Sequence, residues 1–297
     1  MPTRRFACAC LAAVLIGASP AMAQAPAPAA PNAPATPPAP AAGKHHTVNL
    51  VLHWKPESAQ QQADQAVVQA LLAAGGSGGL AAICARSGEL RAVLDHAPAS
   101  FPRTEVHGPI VTVRGETQDQ AMMLAVLASL TAAKDYDVVT VRSEFDTYPQ
   151  AALLLGSCAN EQQHWDEAVR WLDRGLAMQP DHAYLTSEKA TSLEHQGHMA
   201  EGYALVDGYL RANPLTSKAP KALLLRNKGF ALVELKRLDE AEQAYRDSLA
   251  AEPNHAGALH ELAYIARLKA GGPSSPAVQV TGDKAAAGEF PKAPPKP

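Results

Sequence analysis

Three segments in the second half of the chain end in the same way, with a leucine four residues before a proline. They are Leu176–Pro180, Leu210–Pro214 and Leu249–Pro253, and the first two prolines stand 34 residues apart. A proline has no N–H to donate and its ring clashes with the preceding turn, so each one ends a helix. A period of this length predicts consecutive helical units of similar size.

Small and large residues recur at fixed distances before each proline. The recurring triplets are Ala168, Leu172 and Gly175 in the first unit, Gly202, Val206 and Tyr209 in the second, and Ala241, Tyr245 and Ser248 in the third. In this pattern the chain resembles the tetratricopeptide repeat (TPR) family. The resemblance covers about residues 149–270 and implies an all-α solenoid of repeats 149–182, 183–216 and 222–255, with a closing helix at 256–270.

Close packing of paired helices requires small residues where the helices touch. We expect Gly156 to meet the turn of Ala168 in its own unit, and Leu172 and Tyr245 to fill the groove towards the next unit. The turns between the paired helices are expected at 162–164, 196–198 and 235–237. The segments after these turns contain acids, such as Asp166, that suit the positive end of a helix dipole.

The first residues are typical of a secretory signal peptide. Arg4 and Arg5 precede an apolar run from Phe6 to Ser19, and Ala23 closes a small-residue cleavage site. The run is shorter than the roughly 20 residues that span a bilayer, so residues 1–23 are predicted to be a leader that is cleaved after Ala23. We identify no other spanning stretch, so the mature chain is predicted to lack an integral membrane segment and to be periplasmic or secreted.

The net charge limits the classes of partner. The chain has 26 basic and 29 acidic residues, and loss of Arg4 and Arg5 leaves 24 against 29, a net charge of −5. Without a basic face the chain is not expected to bind nucleic acid.

Cys84 and Cys158 remain after the leader is removed. From the sequence, a disulfide between them and a pair of buried free thiols are both open.

The residues before the repeats alternate between strand-like and helix-like patterns. Strands are predicted at 47–54, 110–114 and 138–142, helices at 58–74 and 118–133, and a looser helical stretch at 80–96, with the glycines of 75–79 as a flexible connection. The motif Val-Thr-Val-Arg-x-Glu occurs at 111–116 and again at 139–144, and a strand, helix, strand unit of this length suits parallel strands. The fold class is therefore α+β overall, with a small α/β domain at 44–146 before the TPR solenoid.

The segments that flank these regions have a different composition. Residues 24–43 are almost entirely alanine and proline, and residues 271–297 have the same character. Such segments cannot bury a core, so we predict a disordered tether and a disordered tail.

Candidates for catalysis or metal binding are few. Glu57, Glu116 and Glu144 each follow a predicted strand and form the only enzyme-like set, but acids at strand-to-helix junctions ordinarily cap helices. His195 and His198 lie in a predicted turn without a third ligand nearby, whereas zinc sites normally assemble three or four ligands. We therefore predict no catalytic residue, no metal and no cofactor.

Binding is better supported than catalysis, because the first helices of TPR units form a concave surface. From the positions that the resemblance assigns to this surface, together with Asn227 beside them, the predicted binding residues are Asn160, Tyr184, Ser187, Thr191, Arg226, Asn227 and Phe230. Some relatives clamp a terminal carboxylate with lysines and asparagines, but this chain has no lysine pair at these positions. The groove could also be a solvated surface, or be filled by the N-terminal domain.

The sequence thus predicts an exported adaptor or scaffold that recruits a protein or peptide partner in the bacterial cell envelope through its repeats. One alternative is an accessory or catalytic role in the N-terminal domain, with the repeats as a docking arm. Another is an envelope structural protein held by its Ala/Pro arm.

Overall fold

The structure is a computed structural model that describes residues 4–7, 47–54, 56, 58–132, 134–274 and 277–280. The predicted tether, most of the predicted leader and most of the predicted tail lie outside the described residues. Two short strands fall within those predicted leader and tail segments, β1 (Arg4–Ala7) and β6 (Ala277–Val280), and they pair in parallel. The sequence analysis did not predict this pairing, although Val278 and Val280 alternate as strand residues do.

The remaining elements of the described residues are ten helices and a mixed four-stranded sheet. The strands are β2 (Thr47–Trp54), β3 (Thr104–His107), β4 (Ile110–Val113) and β5 (Val138–Glu144). The helices before the repeats are α1 (Ala59–Cys84), α2 (Ser87–Asp95) and α3 (Gln118–Ala132). The repeat helices are α4 (Thr147–Glu161), α5 (Trp165–Met178), α6 (Ala183–His195), α7 (Met199–Ala212), α8 (Lys218–Glu234), α9 (Leu238–Ala251) and α10 (Ala256–Lys269).

The helix pairs α4/α5, α6/α7 and α8/α9 are closed by one recurring turn. In each turn one residue has a left-handed backbone, and it stands immediately after the first residue of the turn: Gln163 (φ 60°), Gly197 (φ 85°) and Lys236 (φ 63°). The backbone bonds repeat as well, since His164, His198 and Arg237 each donate to the carbonyl five residues earlier. This is the Schellman arrangement, which satisfies the last carbonyls of a helix. The predicted positions of all three turns are confirmed.

The proline stops and the small and large positions are also confirmed. Helices α5, α7 and α9 end two residues before Pro180, Pro214 and Pro253. All nine residues of the three triplets are buried. Helix α8 begins at Lys218, four residues before the predicted start of its repeat, because Pro220 is tolerated in the first turn of a helix.

The large residues of the triplets make a contact with the glycine of their own unit that was not predicted. A Cβ built on Gly156 would stand 2.5 Å from Leu172, and one built on Gly229 would stand 2.7 Å from Tyr245. Leu172 and Tyr245 therefore pack over the glycine of their own unit, and each also shares a buried cluster with the following helix, with Leu185 and Ile265 respectively. Gly175 adds a further contact with the next unit, where an added Cβ would meet Leu185 at 2.7 Å. The backbone of each glycine makes room for a large side chain.

The sheet has the strand order β2-β5-β4-β3. Strands β4 and β5 are parallel and are connected through α3, as the strand, helix, strand pattern predicted. Strand β3 was not predicted; it forms an antiparallel hairpin with β4 on the edge of the sheet. Val111, Val113, Val139 and Val141 pack against the alanines of α3 in a small core of their own.

Helix α1 differs from its prediction. It runs from Ala59 through the glycine-rich segment to Cys84, with its one break at Gly79, whose φ is 66°. Gly75 lies so close to Ile83 that a Cβ there would approach it to 2.5 Å, so this position has no room for a side chain. Within the described residues α1 is also long and apolar enough by composition to cross a membrane. The sequence analysis had identified no segment of this kind after the leader. A core helix of a soluble protein passes the same test.

Helices α1 and α2 pack on α4. Val68, Leu71 and Ile83 of α1 share a buried cluster with residues of α4 and α5, and a disulfide joins Cys84 to Cys158 of α4. Of the two possibilities that the sequence left open, a disulfide and a pair of buried free thiols, the structure has the disulfide. The helical layer thus begins before residue 146, while the domain boundaries themselves stay a prediction.

Candidate functional site

The seven residues predicted for the concave surface lie on three successive inner helices. Asn160 is on α4, Tyr184, Ser187 and Thr191 are on α6, and Arg226, Asn227 and Phe230 are on α8. All except Arg226 are buried, with at most 4% of their surface exposed. The structure therefore brings the predicted residues to one side of the repeats, and it buries six of the seven. Contact between these residues and a ligand stays a prediction.

Asn160 connects the first two inner helices. Its Nδ2 donates to the carbonyl oxygen of Glu188 at 3.2 Å and to the Glu188 carboxylate at 2.7 Å. Its Oδ1 accepts from the hydroxyl of Ser192 at 2.7 Å. An asparagine amide offers two N–H donors and one carbonyl acceptor, so these bonds engage both of its ends.

Asn227 connects the second and third inner helices in a similar way. Its Nδ2 donates to the carbonyl oxygen of Ser187 and to the hydroxyl of Thr191, both at 3.1 Å. Its Oδ1 accepts from the Ser187 hydroxyl at 3.2 Å. The two asparagines therefore hold α6 between its neighbours, a role that the sequence analysis had not assigned to them.

The aromatic candidates are part of the packing. Tyr184 belongs to the buried cluster of α4 and α5, together with Leu223 of α8. Tyr184, which was predicted for the binding surface, is thus enclosed between the inner helices. Phe230 is 4% exposed. Neither ring is presented to solvent as an open platform.

Arg226 is the one predicted surface residue with an appreciably exposed side chain, at 11%. Its Nη1 lies 2.6 Å from the carboxylate of Glu252, at the end of α9. Burial lowers the pKa of the neighbouring His255, and the charge of Arg226 lowers it further. His255 therefore acts as a neutral helix cap, with Nδ1 accepting from the backbone N–H of Ala258.

The inner face also contains a buried acid. Glu194 of α6 is 3% exposed, and its Oε1 has no hydrogen-bond partner among the described residues. Burial raises the pKa of Glu194 well above its usual range, and the charge of Glu234 raises it further. A carboxyl group in this position favours its neutral form.

A second site lies outside the repeats, at the carboxyl ends of the parallel strands. A cavity of about 690 Å³ opens between α1, α3 and the start of α4. Glu116, which follows β4, and Glu144, which ends β5, both line it, as does Asp146. Two of the three carboxylates singled out in the sequence are therefore brought together, while Glu57 lies outside the described residues. In open sheets with parallel strands, ligands bind at this edge.

Two arginines outside the cavity lining form ion pairs with its carboxylates. Arg103 pairs with Glu116 and with Asp181. Arg114 bonds to Glu144, with Nε 2.7 Å from Oε2. Sequence reasoning had no signal for Arg103, whereas Arg114 belongs to the repeated Val-Thr-Val-Arg-x-Glu motif.

His182 lies behind the same cavity and is 1% exposed. Its Nδ1 accepts from the backbone N–H of Leu185, which leaves the proton of the neutral ring on Nε2, 3.4 Å from Asp146 Oδ2. Burial lowers the pKa of His182, and Arg103 lowers it further while Asp146 opposes the shift. The histidine is thus a neutral cap of α6.

The remaining histidine candidates form no ligand set. His195 stacks on Trp165, with ring centroids 4.3 Å apart, and burial lowers its pKa. Within the described part of the chain no group of three His, Cys, Asp or Glu residues could hold a metal ion.

Comparison with known proteins identifies solved structures with similar helices. The first TPR of Spaghetti (RPAP3) bound to the HSP90 peptide SRMEEVD is 24% identical, with a TM-score of 0.36 over 40% of this chain and 93% of that one. The first TPR domain of human RPAP3 is 25% identical, with a TM-score of 0.38 over 41% of this chain and 95% of that one. The MamA RS-1 ArsTM double mutant is 12% identical, with a TM-score of 0.40 over 78% of this chain and 92% of that one.

No protein-family model and no curated protein matches the chain. The assignment of TPR-like repeats therefore rests on the turns, the proline stops and the packed small residues of the chain itself.

Proposed function

We propose that this TPR-like repeat protein is an exported adaptor that binds a protein or peptide partner through its inner helices. The observation that carries the proposal is the continuous row of α4, α6 and α8, which Asn160 and Asn227 join across two repeat boundaries. Stacked repeats of this kind present one extended binding surface. The partner is expected to include an acidic segment, because Arg226 is the basic residue at the accessible margin of the predicted surface.

Two features support export to the cell envelope. The leader-like residues 1–23 are one of them. The disulfide between Cys84 and Cys158 is the other, because structural disulfides persist in oxidising compartments such as the periplasm. Intact-mass measurement of the exported chain tests this part of the proposal. The expected product begins at Gln24, and a product that retains Arg4 and Arg5 would contradict it.

The adaptor role is tested by a pull-down from envelope extract with the full chain as bait. Arg226→Gln is expected to weaken retention of the partner, because it removes the charged donor of the predicted surface. The matched control is Arg170→Gln, which removes the same charge from an exposed position on the outer helix α5. Equal retention by both variants, with unchanged circular dichroism, would argue against binding at the inner helices.

An accessory role in the N-terminal region is the second candidate function. It is favoured by the shared cavity of Glu116 and Glu144, which a purely structural junction does not require. A partner that is retained equally by Arg226→Gln and Arg170→Gln, yet lost when cavity residues are changed, would favour this candidate.

A further inference from the structure

The cavity between α1, α3 and α4 is amphipathic. Its apolar part includes Leu50 of β2, Leu72 of α1 and Met122 of α3. Leu50 is 41% exposed and Met122 is 42% exposed, so both would lose apolar surface to water if a ligand covered them. The volume of about 690 Å³ is within the range of small-molecule sites. One end of a ligand in this cavity would therefore be an apolar chain.

Several residues that line the polar part of the cavity have a buried hydrogen-bonding atom without a partner among the described residues. The unpaired acceptors are Glu116 Oε2 and Gln65 Oε1, and the unpaired donor is Gln150 Nε2, whereas Asp146 Oδ2 has the Nε2–H of His182 3.4 Å away. The side chain of Glu116 is 1% exposed and that of Asp146 is 6% exposed. Buried polar atoms normally have partners, so each of these calls for one. Acceptors outnumber donors, and the complementary ligand group is therefore rich in donors.

The charge of the cavity lining selects among donor-rich groups. Three of the described lining residues are carboxylates, Glu116, Glu144 and Asp146, and none is a lysine, arginine or histidine. Arg103 and Arg114 lie behind the cavity, but their ion pairs also include Glu105 and Asp181, so five carboxylates face two arginines.

Helix dipoles oppose this negative charge without cancelling it. The first turns of α1, α3 and α4 all supply residues to the lining, namely Gln62, Gln118 and Gln150. Each helix start contributes the equivalent of about +0.5 charge. Together the three helix starts contribute about +1.5 charge. The carboxylates exceed the arginines by three negative charges, so the cavity favours a cation over an anion.

We propose that this cavity binds a primary ammonium group carried on an apolar chain, as found in an alkylamine or in a lysine side chain. An ammonium ion has three N–H donors and no acceptor, which suits a lining that has unpaired acceptors on Glu116 and Gln65 and three carboxylates. Hydrogen bonds between an ammonium and a carboxylate are charge-assisted and stronger than neutral ones. The methylene chain would lie along Leu50, Leu72 and Met122. The inference rests on the cavity alone and is independent of the adaptor function.

Calorimetric titration of the full chain with hexylamine at neutral pH tests the proposal. Hexan-1-ol, which has the same chain without the charge, is the ligand control and is expected to bind at least about tenfold more weakly. Titration with Nα-acetyl-lysine amide separates the two sources. Affinity equal to that of hexylamine would assign the site to lysine side chains, and binding of hexylamine alone would assign it to free amines.

Two variants connect the binding to the polar end of the cavity. Glu116→Gln is expected to weaken hexylamine binding about tenfold or more, whereas Glu105→Gln, in the same ion-pair network but outside the lining, should leave it unchanged. Gln65→Leu removes an acceptor without touching an ion pair, and decides the outcome if Glu116→Gln disturbs folding. Absence of hexylamine binding, equal binding of hexan-1-ol, or full affinity in Gln65→Leu and in a folded Glu116→Gln would each overturn the proposal.

Discussion

The backbone of Gly229 lies against the ring of Tyr245, so closely that a Cβ at position 229 would stand 2.7 Å from the ring edge. Tyr245 is 1% exposed and belongs to the buried cluster of α8, α9 and α10. The absence of a side chain at 229 is thus what lets the two helices of the third repeat approach. The same relationship holds between Gly156 and Leu172 in the first repeat.

Gly229→Ala is expected to destabilise the protein by about 1–3 kcal/mol, because the added methyl group overpacks the contact with Tyr245. Gly208→Ala is the matched control, since that glycine is also inside a helix but has nothing within 4 Å of its added Cβ. The control should gain about 0.5–1 kcal/mol from the higher helix propensity of alanine. Denaturant unfolding of both variants measures the difference, and equal free energies of unfolding would contradict the assigned packing.

Asn227→Ala is expected to cost about 1–3 kcal/mol of folding stability, because it removes the amide that the Ser187 carbonyl and the Thr191 hydroxyl accept from. Asn254→Ala changes an exposed asparagine and should alter the free energy of unfolding by less than about 0.5 kcal/mol. Thermal melts that coincide for the two variants would show that Asn227 does not bridge α6 and α8.

Removal of the disulfide is expected to destabilise the protein strongly. Cys84 and Cys158 are 74 residues apart, and the chain-entropy model gives about 4 kcal/mol for a loop of this length. The double variant Cys84→Ala with Cys158→Ala should therefore unfold at lower denaturant concentration than the wild type. Reductant should lower the midpoint of the wild type and leave that of the double variant unchanged. A wild-type midpoint that reductant does not move would contradict the bond.

Glu194→Gln is expected to stabilise the protein at neutral pH. Burial holds the pKa of Glu194 above its ordinary value of 4.5, so above that pH the unfolded chain releases a proton that the folded chain retains. This carboxyl group therefore supports folding below pH 4.5 and costs stability as the pH rises towards its folded-state pKa. Glutamine carries no proton to lose, so the advantage of the variant should be present at pH 7 and shrink towards pH 4.

Unfolding curves of wild type and variant at pH 4 and pH 7 measure the effect of Glu194. Glu201→Gln is the control, because its side chain is 68% exposed. A stabilisation of Glu194→Gln that is the same at both pH values would show that proton binding is not its cause.

The repeat part of the fold could be predicted from the sequence because its signals are local. Pro180, Pro214 and Pro253 end helices through their own covalent structure, and the small residues recur within one helix length of each proline. The strands β4 and β5 were predicted for the same reason, from β-branched residues in short runs. Helix α1 was predicted in part, because the glycines of 75–79 carry a local signal for a break, and the backbone leaves helical φ/ψ only at Gly79.

The candidate sites depended on contacts between distant residues. Asn160 and Asn227 were identified as binding residues by their position in the repeat, but only the packing of α6 shows that their amides connect the helices. The cavity joins Gln65, Glu116 and Asp146 from three separate parts of the chain, and no spacing in the sequence relates them. Composition and short-range pattern therefore determined which segments are helices and where they stop. The tertiary structure decided which polar groups are satisfied and which are left without a partner, because burial and pairing depend on neighbours that only the folded chain brings together.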